Sequence, residues 1–179
     1  MFNFGELIAA NGPAFDYRRP VYTNDTKKTR IKPKNLNRPG PVLSGMQITL
    51  TPVGYVRSPY KVPKDAPRQG RLSDTVARIV IDDVYLPGLR DLAGKKHLIV
   101  LSWFDRADRT ALSATPPGGT LDHGVFATRS PNRPNPIGLC VVDLLKIDGP
   151  VLTVRGLDSL DNTPVIDIKP YSPELDCVK

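Results

Sequence analysis

The chain has 179 residues and a mass of 19.7 kDa, with 40% hydrophobic and 24% charged residues and a formal net charge of +7. That is the mixture of a soluble globular domain, long enough to bury a core without disulfides or a structural metal. No apolar run, Leu98–Leu101 included, exceeds four residues, far too short to cross a bilayer, and the start MFNFGELIAANGPAF lacks the basic and then apolar pattern of a secretory signal. The only cysteines, Cys140 and Cys177, form no CxxC pair, and His97 and His123 are the only histidines. Structural zinc is not expected, and the reading is a reducing, cytoplasmic protein.

The charge is uneven along the chain. Residues 1–45 carry eight Lys/Arg against three Asp/Glu, whereas residues 46–179 carry seventeen against fifteen. The segment RRPVYTNDTKKTRIKPKNLNRPGP holds too little apolar surface to fold alone. Residues 1–45 are therefore expected to form a basic extension, flexible or docked on a partner subunit, with a helical turn or two within Phe2–Ala10. The compact domain is expected to begin at Met46 and to run to residue 179. The excess basic charge favours encounter with a polyanion and does not establish function.

From Met46 onward the pattern is that of strands. QITLTPVGYVRS (47–58) alternates apolar and polar residues, and VARIVID (76–82) repeats the pattern. Around Val84–Leu92 lies the one helical prospect, limited by Pro87. HLIVLSWF (97–104) is apolar on both faces and is expected to be central. GVFATRS (124–130) is predicted to be short and extended. IGLCVVDLLKIDG (137–149) and VLTVRGLD (151–158) flank Gly149-Pro150 and are predicted to form a hairpin. PVIDIKPY (164–171) is the last predicted strand. Many short strands with little helix must manage their edges, by closing into a barrel or packing as a sandwich. No GxGxxG, Walker loop, HExxH or GxSxG is present.

Four segments carry the residues suited to chemistry. In GVFATRSPNRPNPIGL (124–139), Pro131, Pro134 and Pro136 stiffen a loop bearing Arg129, Arg133, Asn132 and Asn135. Forked cationic donors on a rigid loop suit a small anionic or zwitterionic ligand, although proline-rich loops are often mere connections. In GLDSLDNTPVIDIKPYSPELD (156–176), Asp158, Asp161 and Asp167 are placed to accept ribose hydroxyls or an amine, or to act as a base; Asp-Asn-Thr-Pro also reads as an ordinary tight turn. APRQGR (66–71) adds Arg68, Gln69 and Arg71, and WFDRADR (103–109) adds Asp105, Arg106, Asp108 and Arg109, which read equally as a surface ion-pair network. His123 reads as a solvated loop residue, His97 as structural, and Cys140 as a buried small hydrophobe.

Together these segments resemble the TrmO/TsaA-like (YaeB-like) family of S-adenosylmethionine-dependent tRNA methyltransferases. The resemblance runs from about Ile48 to Asp176 and rests on PVGYVRSPY, APRQGRLS, HLIVLSWFDRADR, GVFATRSPNRPNPIGL and LDNTPVIDIKPY, in family order. It implies a mainly β fold: one compact barrel of short, mostly antiparallel strands with few short helices, after the N-terminal extension. It implies N6-methylation of threonylcarbamoyladenosine beside the anticodon of threonine tRNA, and a homodimer whose cofactor pocket lies near the subunit interface, with no membrane and no metal. The implied cofactor contacts are Pro67, Arg68, Gln69, Asp105, Arg106, Arg129, Leu139, Asp161, Asn162, Thr163 and Pro164. Asp105 and Asp161 are the candidates for the base, and Tyr171, Arg133 and Asn135 for placing substrate. Three features depart from the family: Asp105 stands where the bacterial enzymes commonly have His, Cys140 replaces a common Ser, and the chain stops soon after the IKPY motif. The other readings are a small-metabolite methyltransferase and a non-catalytic cofactor- or RNA-binding module.

Overall fold

The computed structural model describes residues 48–178. The expected basic extension, including Phe2–Ala10, lies outside the described residues. Within them, six strands close into an antiparallel barrel: β1 (Gly54–Arg57), β2 (Val76–Ile81), β3 (His97–Trp103), β6 (Ile137–Asp148), β7 (Val151–Arg155) and β8 (Pro164–Pro170), in the order β1-β2-β7-β6-β3-β8. Two further strands, β4 (Ser113–Ala114) and β5 (His123–Gly124), form a small separate ribbon. Of the two architectures left open by the strand pattern, the barrel is the one adopted, and closure leaves no unpaired edge among these six strands.

Alternation explains the core. In β3, Leu98, Val100 and Ser102 point inward and His97, Ile99, Leu101 and Trp103 lie half-buried outside. Val56, Ile79, Leu152, Val154, Val142 and Val165 meet Leu98 and Val100 in the barrel interior. Each such side chain contributes roughly 1.5–3 kcal/mol of burial before entropy is counted. Strand β3 is paired to β6 on one side and β8 on the other, but in a closed barrel all six strands have two neighbours, so no strand is central. The predicted β6–β7 hairpin turns through Gly149-Pro150, where Gly149 adopts a φ of +55°, the left-handed geometry that primed hairpin turns require.

The helical prospect is a 3-10 segment, Asp83–Leu89, with Pro87 inside it. A 3-10 turn tolerates this proline better than a full helix, whose longer hydrogen-bond ladder it would interrupt. The predicted extended segment 124–130 is corrected. Only Gly124 is in a strand; Val125–Ala127 is a 3-10 turn that buries Val125 and leaves Phe126 exposed. The short helix α1 (Pro173–Asp176) had no counterpart in the sequence reading.

Strand direction decides where the loops gather. Strands β1, β3 and β7 run one way, and β2, β6 and β8 run back. The connections β1–β2, β3–β6 and β7–β8 therefore emerge at the same end of the barrel, while the β2–β3 connection (82–96) lies at the other. APRQGR, DRADR, RSPNRPNP and LDSLDNT lie on these three connections. Segments scattered over a hundred residues are collected at one rim by topology alone.

Candidate functional site

The rim holds a groove of three adjoining cavities, of about 260, 450 and 230 Å³. Gln69, Arg129 and Asp158 line all three, so these residues form the partitions within one groove. The first cavity is bordered by Pro67, Arg68, Phe104, Asp105, Arg106 and Thr163, among others. The second lies toward Arg71, His97, Leu139, Cys140 and Tyr171. The third runs under the proline-rich loop to Phe104 and Leu139.

The 66–70 segment is seated by a close approach of two backbones. A Cβ on Gly70 would stand 2.0 Å from the Gly156 carbonyl oxygen, so only glycine permits this contact. Gly156 itself has a φ of +88°. The proline-rich loop is braced from within by Arg133. Its Nε donates to Ser130 O at 2.8 Å, and its Nη2 donates to Thr128 O at 2.6 Å and Val125 O at 3.2 Å. Arg133 thus holds the loop that carries Arg129. Asn135 is exposed and lines none of the three cavities, whereas its neighbour Asn132 accepts from Asp108 N–H at 3.0 Å and borders the first. Arg129 differs from Arg133: among the described residues, no hydrogen bond or ion pair engages its guanidinium, which faces the groove.

Asp105 sits just past β3, exposed at the first cavity, 4.0 Å from Arg106 Nε. Arg106 Nη2 donates to Asp161 O at 2.7 Å and so links the β3–β6 connection to the β7–β8 connection. The expected ion-pair network of 103–109 resolves into separate contacts: Arg109 stacks over Trp103 at 5.3 Å and Asp108 caps Thr110.

Asp161 and its neighbours occupy a turn. Asp161 accepts from Ser58 N–H at 3.1 Å and from Lys61 Nζ at 2.8 Å. The Lys61 hydrogen bond is the main cause holding its carboxyl below the usual carboxylate range. Asn162 has a φ of +64° and accepts from Arg57, and Thr163 N–H donates to Leu160 O. Asp161, Asn162 and Pro164 line none of the three cavities, whereas Thr163 lines the first. Tyr171 is in the second cavity, edge-on to His97, with its hydroxyl 2.9 Å from Cys177 Sγ.

Two features go beyond what the sequence assigns: the partners of Asp158, there a candidate for ribose, an amine or a base, and the state of Ser159. Asp158 accepts from Gly70 N–H at 2.9 Å through Oδ2 and from the Cys140 thiol at 3.0 Å through Oδ1. Cys140 is therefore not simply a buried hydrophobe: burial first, then the Asp158 charge, pushes its thiol up to about 12, and it stays a protonated donor. The second is Ser159, whose buried hydroxyl has no partner among the described residues and which lies in the wall of the first cavity.

Residues 55–177 match the family described as the tRNA-methyltransferase O N-terminal domain. The chain belongs to the TrmO family. An S-adenosyl-L-methionine-binding protein of Archaeoglobus fulgidus is 57% identical over 129 residues, covering 72% of this chain and 93% of the relative. The crystal structure of TrmO from Pseudomonas aeruginosa superposes with a TM-score of 0.64 at 33% identity, covering 74% of this chain and 60% of that one. A second TrmO crystal structure gives 0.63 at 35%, covering 74% and 59%. The chain thus spans about three-fifths of the solved TrmO chains it matches. The segments that carried the resemblance all fall at the barrel rim or in the strands that lead to it. Among the described residues no helix is long and apolar enough to cross a membrane, and no three His, Cys, Asp or Glu side chains gather as metal ligands.

Proposed function

We propose that this chain is an S-adenosylmethionine-dependent methyltransferase acting in the cytoplasm on tRNA, with N6 of threonylcarbamoyladenosine in threonine tRNA as acceptor. The observation that carries the reading is the rim groove, where the unengaged Arg129 guanidinium and the Asp105 carboxylate border one cavity. The donor set fits the cofactor. Arg129 and Arg68 offer cations to its carboxylate, Pro67, Phe104 and Leu160 offer an apolar wall to its adenine, and Ser159 offers an unsatisfied hydroxyl beside them. When bound, that cofactor supplies an electrophilic sulfonium methyl. The chain's own task is to hold acceptor and methyl in line, which needs neither a covalent enzyme intermediate nor a metal.

Asp105 is the residue we assign as base for the acceptor N–H. It borders the cavity and is exposed to an incoming substrate, while Asp161 already accepts from Lys61 and Ser58. Asp105→Asn is expected to lower the transfer rate about a hundredfold while leaving cofactor affinity within a few-fold. Loss of cofactor binding in this variant would assign Asp105 to the pocket instead.

The active unit is proposed to be a homodimer. The outer faces of β3 and β6 pair Ile99 with Val141, Leu101 with Leu139 and Trp103 with Ile137, an apolar strip ending at the groove through Leu139. A second copy covering this strip also closes the open side of the groove. Leu139→Glu should yield a monomer by light scattering, with transfer activity lost.

The reading is tested by incubating the protein with methyl-labelled cofactor and tRNA bearing threonylcarbamoyladenosine, then digesting the tRNA to nucleosides for mass spectrometry. Methyl gain on that nucleoside supports the assignment. Labelled cofactor that binds but never transfers to tRNA rejects it and favours a small-molecule acceptor.

A further inference from the structure

We propose that Asp158 is a positioning residue of this groove, holding the 67–70 segment in place by accepting the Gly70 N–H and the Cys140 thiol at once. The inference rests on the cofactor reading above. Pro67, Arg68 and Gln69 border the first cavity, yet they have little of their own to hold them there. The polar backbone contacts of residues 66–73 are local: Ala66 N–H to Pro63 O, Leu72 N–H to Gln69 O, and Ser73 N–H to Gly70 O. Among the described residues, Gly70 N–H is the one backbone donor of 66–70 that reaches another part of the fold, and Asp158 is its acceptor. A hydrogen bond to a carboxylate is shorter and stronger than one between neutral groups.

The other carboxylate oxygen is fixed as well. Cys140 lies on β6, opposite Val100 of β3, and its S–H points at Asp158 Oδ1. The β7–β8 connection therefore grips the β1–β2 connection on one side and β6 on the other. The Gly70–Gly156 contact sets the spacing of this grip, and Asp158 sets its orientation. Both oxygens already have donors, so Asp158 acts on the ligand through the segment that it seats.

Two substitutions separate geometry from charge. In Asp158→Asn the amide oxygen still accepts from Gly70, while Asp158→Ala leaves that N–H unpaired. Cofactor affinity would be measured by calorimetry, and Gly70 amide exchange and proton shift by NMR on the ligand-free protein. The expected result is a loss of affinity of about ten- to a hundredfold in Asp158→Ala, with kcat at saturating cofactor changed far less. Asp158→Asn should stay within about threefold of the native affinity. Gly70 exchange should quicken in the Ala variant alone. Equal damage from Asn and Ala, with Gly70 still protected in Asn, would overturn the proposal and make the carboxylate a direct charge contact. Native affinity in both would overturn it too. If the native protein bound no cofactor, the functional reading would fall, and Gly70 exchange in the two variants would still decide whether Asp158 is the latch. Should Asp158→Ala not fold, the Asn variant decides alone through its affinity and its Gly70 protection.

Discussion

The Gly70–Gly156 contact gives a prediction with a size. In Gly70→Ala, the new Cβ would stand 2.0 Å from Gly156 O and 2.7 Å from Gly156 C. Ordinary van der Waals contact begins near 3.4 Å, so one backbone must retreat by about 1.4 Å. Neither partner is a flexible side-chain end. Gly156 is fixed at positive φ, and its neighbour Leu157 is buried in the barrel core. The movable element is the 66–70 segment. Overpacking of this kind costs about 1–3 kcal/mol, or roughly 3–10 °C in unfolding midpoint for a domain of this size. The functional loss should exceed the stability loss. A displacement near 1 Å in a positioning element costs about a hundredfold in turnover efficiency, because it carries Gln69 and Arg68 out of the cavity wall. The assay is thermal unfolding by circular dichroism beside cofactor titration of the same sample. A variant with both native midpoint and native affinity would refute the reasoning, since the two segments would then not be in contact.

Two other outcomes follow from named groups. With Cys177 exposed and the Cys140 thiol pushed up to about 12, a disulfide reagent near pH 8 should modify one thiol in native protein and two after denaturation, with peptide mapping placing the first at Cys177. Asp143 accepts from Arg155 and His97 and lies beside Arg71; partial burial pushes its carboxyl up, but these partners outweigh it and hold it below its ordinary 3.8. A depressed folded value means that stabilisation is full above about pH 4 and is lost as pH falls through the folded value, so Asp143→Asn should cost about 1–2 kcal/mol near neutrality, with the gap closing in acid, as unfolding midpoints across pH would show.

How much of this was legible in the sequence depends on the range of the forces involved. Strands β2, β3, β6, β7 and β8 were readable because each is a run of five or more residues rich in Val, Ile and Leu, and because Gly149-Pro150 marks a turn chemically. Segment 124–130 misled because its extended look came from Gly and the Arg-Ser-Pro start of the stiff loop, while Val125 alone is buried. At 161–164 the plain turn reading describes the geometry: Asn162 at positive φ and the Leu160–Thr163 bond are what Asp-Asn-Thr-Pro does locally. Asp158 was legible as a candidate carboxylate, but its place between two segments was not, because its partners, Gly70 and Cys140, are 88 and 18 residues away and only the closed barrel brings them together. A signal existed: Gly70 and Gly156 each lie beside a candidate segment, and paired glycines flanking such segments mark close backbone approach. Arg129 and Arg133 are indistinguishable by type and spacing. The difference is that Arg133 faces back onto three carbonyls of its own loop, a property of the loop's fold.

The central claim is that the rim groove binds S-adenosylmethionine through Arg129, and calorimetry on the native protein and on Arg129→Ala tests it most directly. Native affinity in the micromolar range, about −8 kcal/mol, is expected to fall at least tenfold on substitution, with an unchanged unfolding midpoint because no described partner of Arg129 holds the fold. A folded native protein that binds no cofactor, or a variant that binds as the native does, would contradict it.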